Sequence, residues 1–267
     1  MPKLKINNIN LYYETHGQGE PLVLVTGFNA DHTVWQNIIA AYQNKYQVIV
    51  FDNRGIGQSD CPDIPYSIEM MAADVIGLCQ ALSLGPCHFI GNSMGGAIVQ
   101  TIAYQYPQMV KSAIIYNSFS KIDIKFHLFA KGRLQIFQSH LNVPDEALIK
   151  MVLGWVFSSH YLNQPGVIDF LIQTGLANPF PMTEVGYRNQ LIALEKFDSS
   201  SWLNKIKVPC LVIGSDSDLI VTEQHMRNLA DQIPNCAYHC FSGTGHITHI
   251  EQGDVFNKVV LEYLKTL

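Results

Sequence analysis

The stretch Gly91-Asn92-Ser93-Met94-Gly95-Gly96 sets a serine between glycines in the pattern G-x-S-x-G. Cys87-His88-Phe89-Ile90 before it reads as a short buried strand, and Ala97 to Ala103 after it as the start of a helix. A serine on such a strand-to-helix turn needs small neighbours, because the backbone is strained and the flanking elements pack closely. The turn lifts the hydroxyl out of the sheet and aims the next backbone N–H groups at whatever the hydroxyl attacks. A serine hydroxyl is a poor nucleophile at neutral pH, so it needs a base, and the base needs an orienting acceptor. His246, in Gly243-Thr244-Gly245-His246, and one carboxylate of the Asp216/Asp218 pair supply these parts in chain order Ser, Asp, His.

The elements that must hold these groups alternate along the chain. Leu4 to Ile9 and Asn10 to Thr15 read as two short strands joined at Asn7-Asn8. Pro21 to Val25, Gln47 to Phe51, Cys87 to Ile90 and Lys111 to Tyr116 are apolar runs of the kind buried on both faces of a parallel sheet. Helices are expected from Asp31 to Ala41 and, capped by Ser67, from Met70 to Leu82. After Asn117 the strand rhythm stops, and Ser118 to Ser199 reads as a run of helical segments: 122–137, 145–157, 167–177 and 183–197. It resumes with a strand at 209–214, a helix at 222–232, a strand at 236–241 and a helix at 254–264. This alternation predicts an α/β chain with a parallel sheet covered on both faces. Active sites on such sheets form at the carboxyl ends of the strands. Thr26-Gly27-Phe28, Ser93, Ser215 to Asp218 and Gly243 to His246 all fall there.

Four stretches taken together, Asp52-Asn53-Arg54-Gly55-Ile56-Gly57-Gln58-Ser59, Gly91 to Gly96, Gly214 to Asp218 and Gly245 to Glu251, resemble the α/β-hydrolase fold family across the full length of the chain. The resemblance implies a mostly parallel, doubly wound sheet with a helical cap inserted after the sixth strand. Its core would comprise residues 1–117 and 200–267, and its cap residues 118–199. It also implies that Ser93 is the nucleophile and His246 the general base, with an oxyanion hole formed by the backbone N–H groups of Met94 and Phe28. The family pattern sets an apolar pair and then often proline after the acid. Asp218-Leu219-Ile220-Val221-Thr222 fits that phrase with threonine for proline, which favours Asp218 over Asp216. Where the family usually has His-Gly in the first loop, this chain has Thr26-Gly27.

The implied activity is hydrolysis of a small carboxylic ester through an acyl-enzyme. The serine sets the chain apart from dehalogenases and epoxide hydrolases of similar fold, which carry aspartate at the elbow. Carbon–carbon bond hydrolases of ring-cleavage products share the Gly-Asn-Ser-Met-Gly-Gly phrase. They typically have Trp after the catalytic histidine, where this chain has Ile247, although Arg188 would suit that chemistry. A slow-turnover ligand receptor on the same fold is the reading outside enzymology.

Composition narrows the alternatives. The 267 residues are 48% apolar and 15% charged, with formal net charge −5 and no basic stripe, so no nucleic-acid partner is expected. No apolar run reaches the length of a membrane span, and residues 1–7 show no apolar h-region. The six scattered cysteines read as reduced core residues of a cytoplasmic protein. Cys236 and Cys240 have no complement to complete a metal set, and Gly55 and Gly57 form no dinucleotide fingerprint, so neither metal nor cofactor is expected. His249 and Arg54 read as structural, and His32 and Trp35 fit a pocket wall or helix packing equally. Met151, Leu153, Trp155, Val156, Phe157, Phe170, Leu171, Leu176 and Phe180 are the candidates for a lid over Ser93. Lys121, Lys125, Lys131 and Arg133 make the front of the insertion basic, which would suit an acidic substrate or carrier protein, although a solvated helix face is the preferred reading. The partner the resemblance implies is a small-molecule or carrier-linked acyl ester.

Overall fold

A computed structural model describes residues 2–139 and 141–267. Eight strands form one sheet: β1 (Lys3–Ile6), β2 (Ile9–His16), β3 (Glu20–Val25), β4 (Tyr46–Phe51), β5 (Cys87–Asn92), β6 (Val110–Tyr116), β7 (Cys210–Ser215) and β8 (Cys236–Phe241). Their order is β1-β2-β4-β3-β5-β6-β7-β8. Only the β1–β2 and β2–β4 pairings are antiparallel, and the rest of the sheet is parallel. The central strands β5 and β7 are buried at every position, as strands covered on both faces must be.

Two apolar layers cover the sheet. On one face lie α2 (Ile68–Ala81), α3 (Met94–Gln105) and α9 (Glu223–Gln232), packed around Phe89, Ile98 and Met226. On the other lie α1 (Gln36–Tyr42) and α11 (Gly253–Leu264), packed around Ile90, Ile114 and Phe256. Ser67 caps α2 as its sequence suggests, its hydroxyl accepting the Met70 N–H at 3.1 Å.

After β6 the chain forms α4 (Ile124–Gln138), α5 (Asp145–Val156), α6 (Ser159–Leu162), α7 (Val167–Leu176) and α8 (Glu184–Lys196) before returning to β7. The two ends of this helical insertion meet: Lys121 and Asp198 form an isolated bridge, and the Ser199 N–H donates to the Ser120 carbonyl at 2.9 Å. The α/β sheet with helices inserted after the sixth strand is therefore the fold of this chain.

Local differences from the sequence reading have local causes. The helix expected over 31–41 divides into a 3-10 turn at His32–Trp35 followed by α1. Asp31 tightens the turn by accepting the Thr33 N–H, and Asp52 draws in His32 through both its backbone N–H and its ring. Two four-residue helices, α6 and α10 (Thr248–Glu251), are too short for periodicity to reveal. No helix among the described residues is long and apolar enough to cross a membrane.

Candidate active site

Ser93 sits between the last residue of β5 and the first of α3 with φ 55° and ψ −117°, a backbone conformation an L side chain rarely adopts. The surrounding glycines are required by close approach. A Cβ on Gly91 would collide with the Gly95 carbonyl, and one on Gly95 would collide with the Val25 carbonyl at the end of β3. The G-x-S-x-G spacing thus lets α3 settle directly on two strands while Ser93 turns outward. Its side chain is buried in the protein yet lines a cavity of about 240 Å³.

His246 lines the same cavity. Its Nδ1 lies 2.7 Å from Asp218 Oδ2, and the other Asp218 oxygen accepts the backbone N–H groups of Ile220 at 2.7 Å and Val221 at 3.0 Å. An ionised carboxylate so held fixes the proton of the imidazole on Nδ1 and leaves Nε2 as the basic nitrogen. The His246 backbone is also fixed, its carbonyl accepting from Asn117 Nδ2 at 3.0 Å and the Tyr116 hydroxyl at 3.2 Å. Ser93 Oγ makes no hydrogen bond among the described residues. The two groups thus face one cavity without being locked together, as is common in unliganded sites.

Asp216, the other candidate acid, points away. Its carboxylate accepts from the Gly243 N–H, Ser242 Oγ and Ser217 Oγ, at 2.7, 2.8 and 2.9 Å. Desolvation pushes its pKa up, but these donors outweigh that and hold it below the usual aspartate range. The structure therefore brings Ser93, His246 and Asp218 to one place and leaves Asp216 as a brace across the β7–β8 loops.

Met94 is the first residue of α3, so its N–H has no partner within the helix, and the N-terminal end of the helix dipole points the same way. Phe28 lines the cavity from the loop after β3, and its N–H also has no acceptor among the described residues. The loop approaches the serine closely: a Cβ on Gly27 would lie 3.2 Å from Ser93 Cβ. Thr26 replaces the more usual histidine here, and Asn53 supplies the support. Its Nδ2 donates to both the carbonyl and the hydroxyl of Thr26, each at 3.1 Å. A side-chain bond across 27 positions leaves no local signal, so nothing in the sequence marks Asn53 for this role.

Arg54 and His249 both serve as packing. Arg54 forks onto Asp74 through Nε at 2.6 Å and Nη2 at 2.8 Å. His249 is stacked on Trp35, its Nε2 3.0 Å from the Val34 carbonyl. Burial lowers its pKa to about 4, assisted by the nearby His246 and opposed by the Val34 bond, so it stays neutral. Trp35 and His32 pack rather than line the cavity. Among the described residues, Asp31, His32 and Asp52 are the group whose atoms lie close enough to surround an ion. Those atoms are taken: Asp52 accepts from the His32 ring at 2.7 Å and from the Gln58 N–H at 2.8 Å, and Asp31 from Thr33 and from Asn178.

The cavity wall opposite Ser93 comes from the insertion, and only some of its residues are among the lid candidates of the sequence. Trp155, Val156 and Phe157 line it, as do Phe126, Phe129, Arg133, Val152 and Tyr187. Met151, Phe170, Leu176 and Phe180 are exposed instead, and Leu153 joins a small core with Ile172. Arg188 is engaged outside the cavity by Glu184 and Asp63. Arg133, grouped in the sequence with a solvated basic face, is half-buried against Phe137 and Tyr187.

Comparison with known proteins agrees with this architecture. The chain is 27% identical over 261 residues to the putative non-heme bromoperoxidase BpoC of Mycobacterium tuberculosis, covering 97% of this chain and 99% of that one. It is 28% identical over 267 residues to 3-oxoadipate enol-lactonase 2 of Acinetobacter baylyi, covering 98% and 96%. The crystal structure of the enol-lactonase from Burkholderia xenovorans LB400 superposes with a TM-score of 0.88 at 27% identity, covering 99% of this chain and 100% of that chain. A model of the α/β hydrolase fold family matches residues 20–252, and the chain belongs to that family.

Proposed function

We propose that this protein is a serine hydrolase of small carboxylic esters, with Ser93 as nucleophile, His246 as general base and Asp218 as the acid that orients it. The observation that carries this reading is the serine on its strained turn, facing the cavity it shares with an imidazole anchored at 2.7 Å to a buried carboxylate. Ser93 Oγ attacks the ester carbonyl while His246 Nε2 takes its proton. The oxyanion is held by the free N–H groups of Phe28 and Met94. The tetrahedral intermediate collapses to an acyl-serine, and the imidazolium returns its proton to the departing alcohol. Water, deprotonated by the same nitrogen, then releases the carboxylic acid and restores the serine. Two of the relatives are named enol-lactonases, and a lactone is a cyclic ester.

The helices of residues 118–199 act as the lid in this reading, with Phe126, Phe129, Trp155 and Phe157 as its apolar inner surface. The cavity lies below the roughly 300–1,000 Å³ of ordinary ligand pockets, which favours a small acyl group. The test is covalent. A fluorophosphonate should add one label, at Ser93, and Ser93→Ala should take no label and lose turnover by about a million-fold. Labelling at another residue, or esterase activity retained by the alanine variant, would overturn the assignment.

A further inference from the structure

Several cations of the helical insertion have carboxylate partners: Lys121 pairs with Asp198, Lys131 with Glu195, and Arg188 with Asp63 and Glu184. Arg133 has none. Among the described residues no carboxylate lies within ion-pair distance of its guanidinium, and its buried Nε has no acceptor. A charged donor left in this state is costly to the free protein, and an acceptor brought by a ligand would recover that cost.

The position is built rather than incidental. Phe126, Phe129 and Arg133 are spaced i, i+3 and i+7, so they share one face of α4, and that face lines the Ser93 cavity. The guanidinium carbon lies 5.8 Å from the ring centres of both Phe137 and Tyr187, which hold the side chain on two sides. Desolvation lowers its pKa from the ordinary arginine value, and a guanidinium still keeps its charge at neutral pH. Arg133 also borders a second cavity that carries Asp31 and Asp145, but Asp31 is already occupied by Thr33 and Asn178. The Ser93 cavity itself contains no acidic side chain.

We infer that Arg133 is the specificity-determining residue of this cavity, selecting esters whose acyl chain ends in a carboxylate. The inference rests on the ester-hydrolase reading of Ser93. A planar guanidinium fork matches a carboxylate bidentately, which an ammonium does not. Phe126 packs edge-on against Phe28 at the oxyanion loop, with ring centres 6.3 Å apart. Arg133 lies seven residues further along the helix, about 10 Å at 1.5 Å per residue. Helix side chains lean toward the N-terminus, so the Arg133 side chain covers part of that interval and a short acyl chain spans the rest. Its methylenes would lie against Phe126 and Phe129, with one end at Ser93 and the charged end at Arg133.

The experiment compares monomethyl adipate with methyl hexanoate, which have the same chain length and differ in a terminal carboxylate. The wild type should prefer the half-ester in kcat/KM by about tenfold or more. Arg133→Met should abolish that preference, chiefly by raising KM for the half-ester, and Arg133→Lys should retain part of it. Arg133→Gln serves the same purpose if the methionine variant fails to fold. Calorimetry of adipate binding to Ser93→Ala, with and without Arg133→Met, reads the site without turnover, and binding should depend on Arg133. Adipate binding through Arg133 with neither ester hydrolysed would sink the ester reading and leave the anion site standing. Hydrolysis of methyl hexanoate with no half-ester preference, or a preference unchanged in Arg133→Met, would overturn the inference and leave the ester reading intact. Loss of both esters by one common factor would likewise reduce Arg133 to packing.

Discussion

Glu251 holds Ser158 twice, one carboxylate oxygen accepting the Ser158 backbone N–H at 3.0 Å and the other its hydroxyl at 2.5 Å. The first oxygen also accepts the N–H of Gly245, one residue before His246, at 3.0 Å. The His246 N–H in turn donates to the Val156 carbonyl at 2.7 Å. Residues 156–158 of the insertion and the loop carrying the imidazole are thus bonded into one unit by a single carboxylate and one backbone bond. Gly245 permits the contact, since a Cβ there would press on Val156 and Ser158 at 2.7 Å.

Removing that carboxylate should therefore loosen the lid and the base together. Glu251→Ala leaves three donors without their acceptor and should destabilise the protein by about 2–4 kcal/mol, read from the denaturant midpoint. Activity should fall in kcat as well, because His246 loses its fixed approach to Ser93. Glu251→Gln keeps acceptor oxygen on one side only and should recover part of both losses. A variant with lowered stability and unchanged kcat would confine Glu251 to holding the insertion in place.

A second prediction concerns pH. Burial lowers the pKa of His249 from its ordinary 6.5 to about 4, with His246 nearby acting in the same direction and the Val34 bond opposing. The folded state thus binds a proton at His249 less readily than the unfolded chain. This contribution to stability is complete above the unfolded value of about 6.5 and is lost as pH falls from there toward 4. The shift corresponds to about 3 kcal/mol at full extent. Unfolding free energies measured at pH 7 and pH 4.5 should differ in that direction. His249→Gln, which cannot titrate, should flatten the difference. If both proteins respond identically to pH, other groups govern the acid limb.

What was legible in the sequence is what is encoded over a few neighbouring residues. The buried runs at Pro21 to Val25 and Gln47 to Phe51 announce parallel strands because every side chain in them must be covered. Gly91 and Gly95 announce the serine turn because a Cβ at either would strike a carbonyl. The inner surface of the insertion was less legible, since an apolar helix residue faces either the cavity or a neighbouring helix according to tertiary packing. Trp155 and Phe170 look alike in sequence, yet one lines the cavity and the other is 61% exposed. Arg133 did leave a signal: it continues the Phe126-Phe129 stripe, so helical periodicity places it inward although its charge suggests the opposite. Asn53 and Glu251 left none, because their roles are bonds to residues far along the chain.

The last prediction ranks the two acids after β7. Asp218 is buried and makes three contacts that matter to the base: one to His246 Nδ1, and two from the Ile220 and Val221 N–H groups that aim its carboxylate. Asparagine is nearly isosteric and preserves the packing, but its NH₂ can face Nδ1 and force the proton onto Nε2. The imidazole is then in the wrong tautomer to receive the serine proton, and no anion remains to stabilise the imidazolium. Where this change has been measured in another serine triad the loss in kcat is about 10⁴-fold. Asp218→Asn should show a loss of that order while keeping its thermal midpoint within a few degrees. Asp216→Asn should keep kcat within about tenfold, because among the described residues its carboxylate is bonded to Gly243, Ser242 and Ser217 and not to His246, and the effect should appear as altered stability of that loop. Steady-state kinetics on one activated ester decides between them. A larger loss at Asp216 would transfer the role to it, and two mild effects would remove the carboxylate from the mechanism.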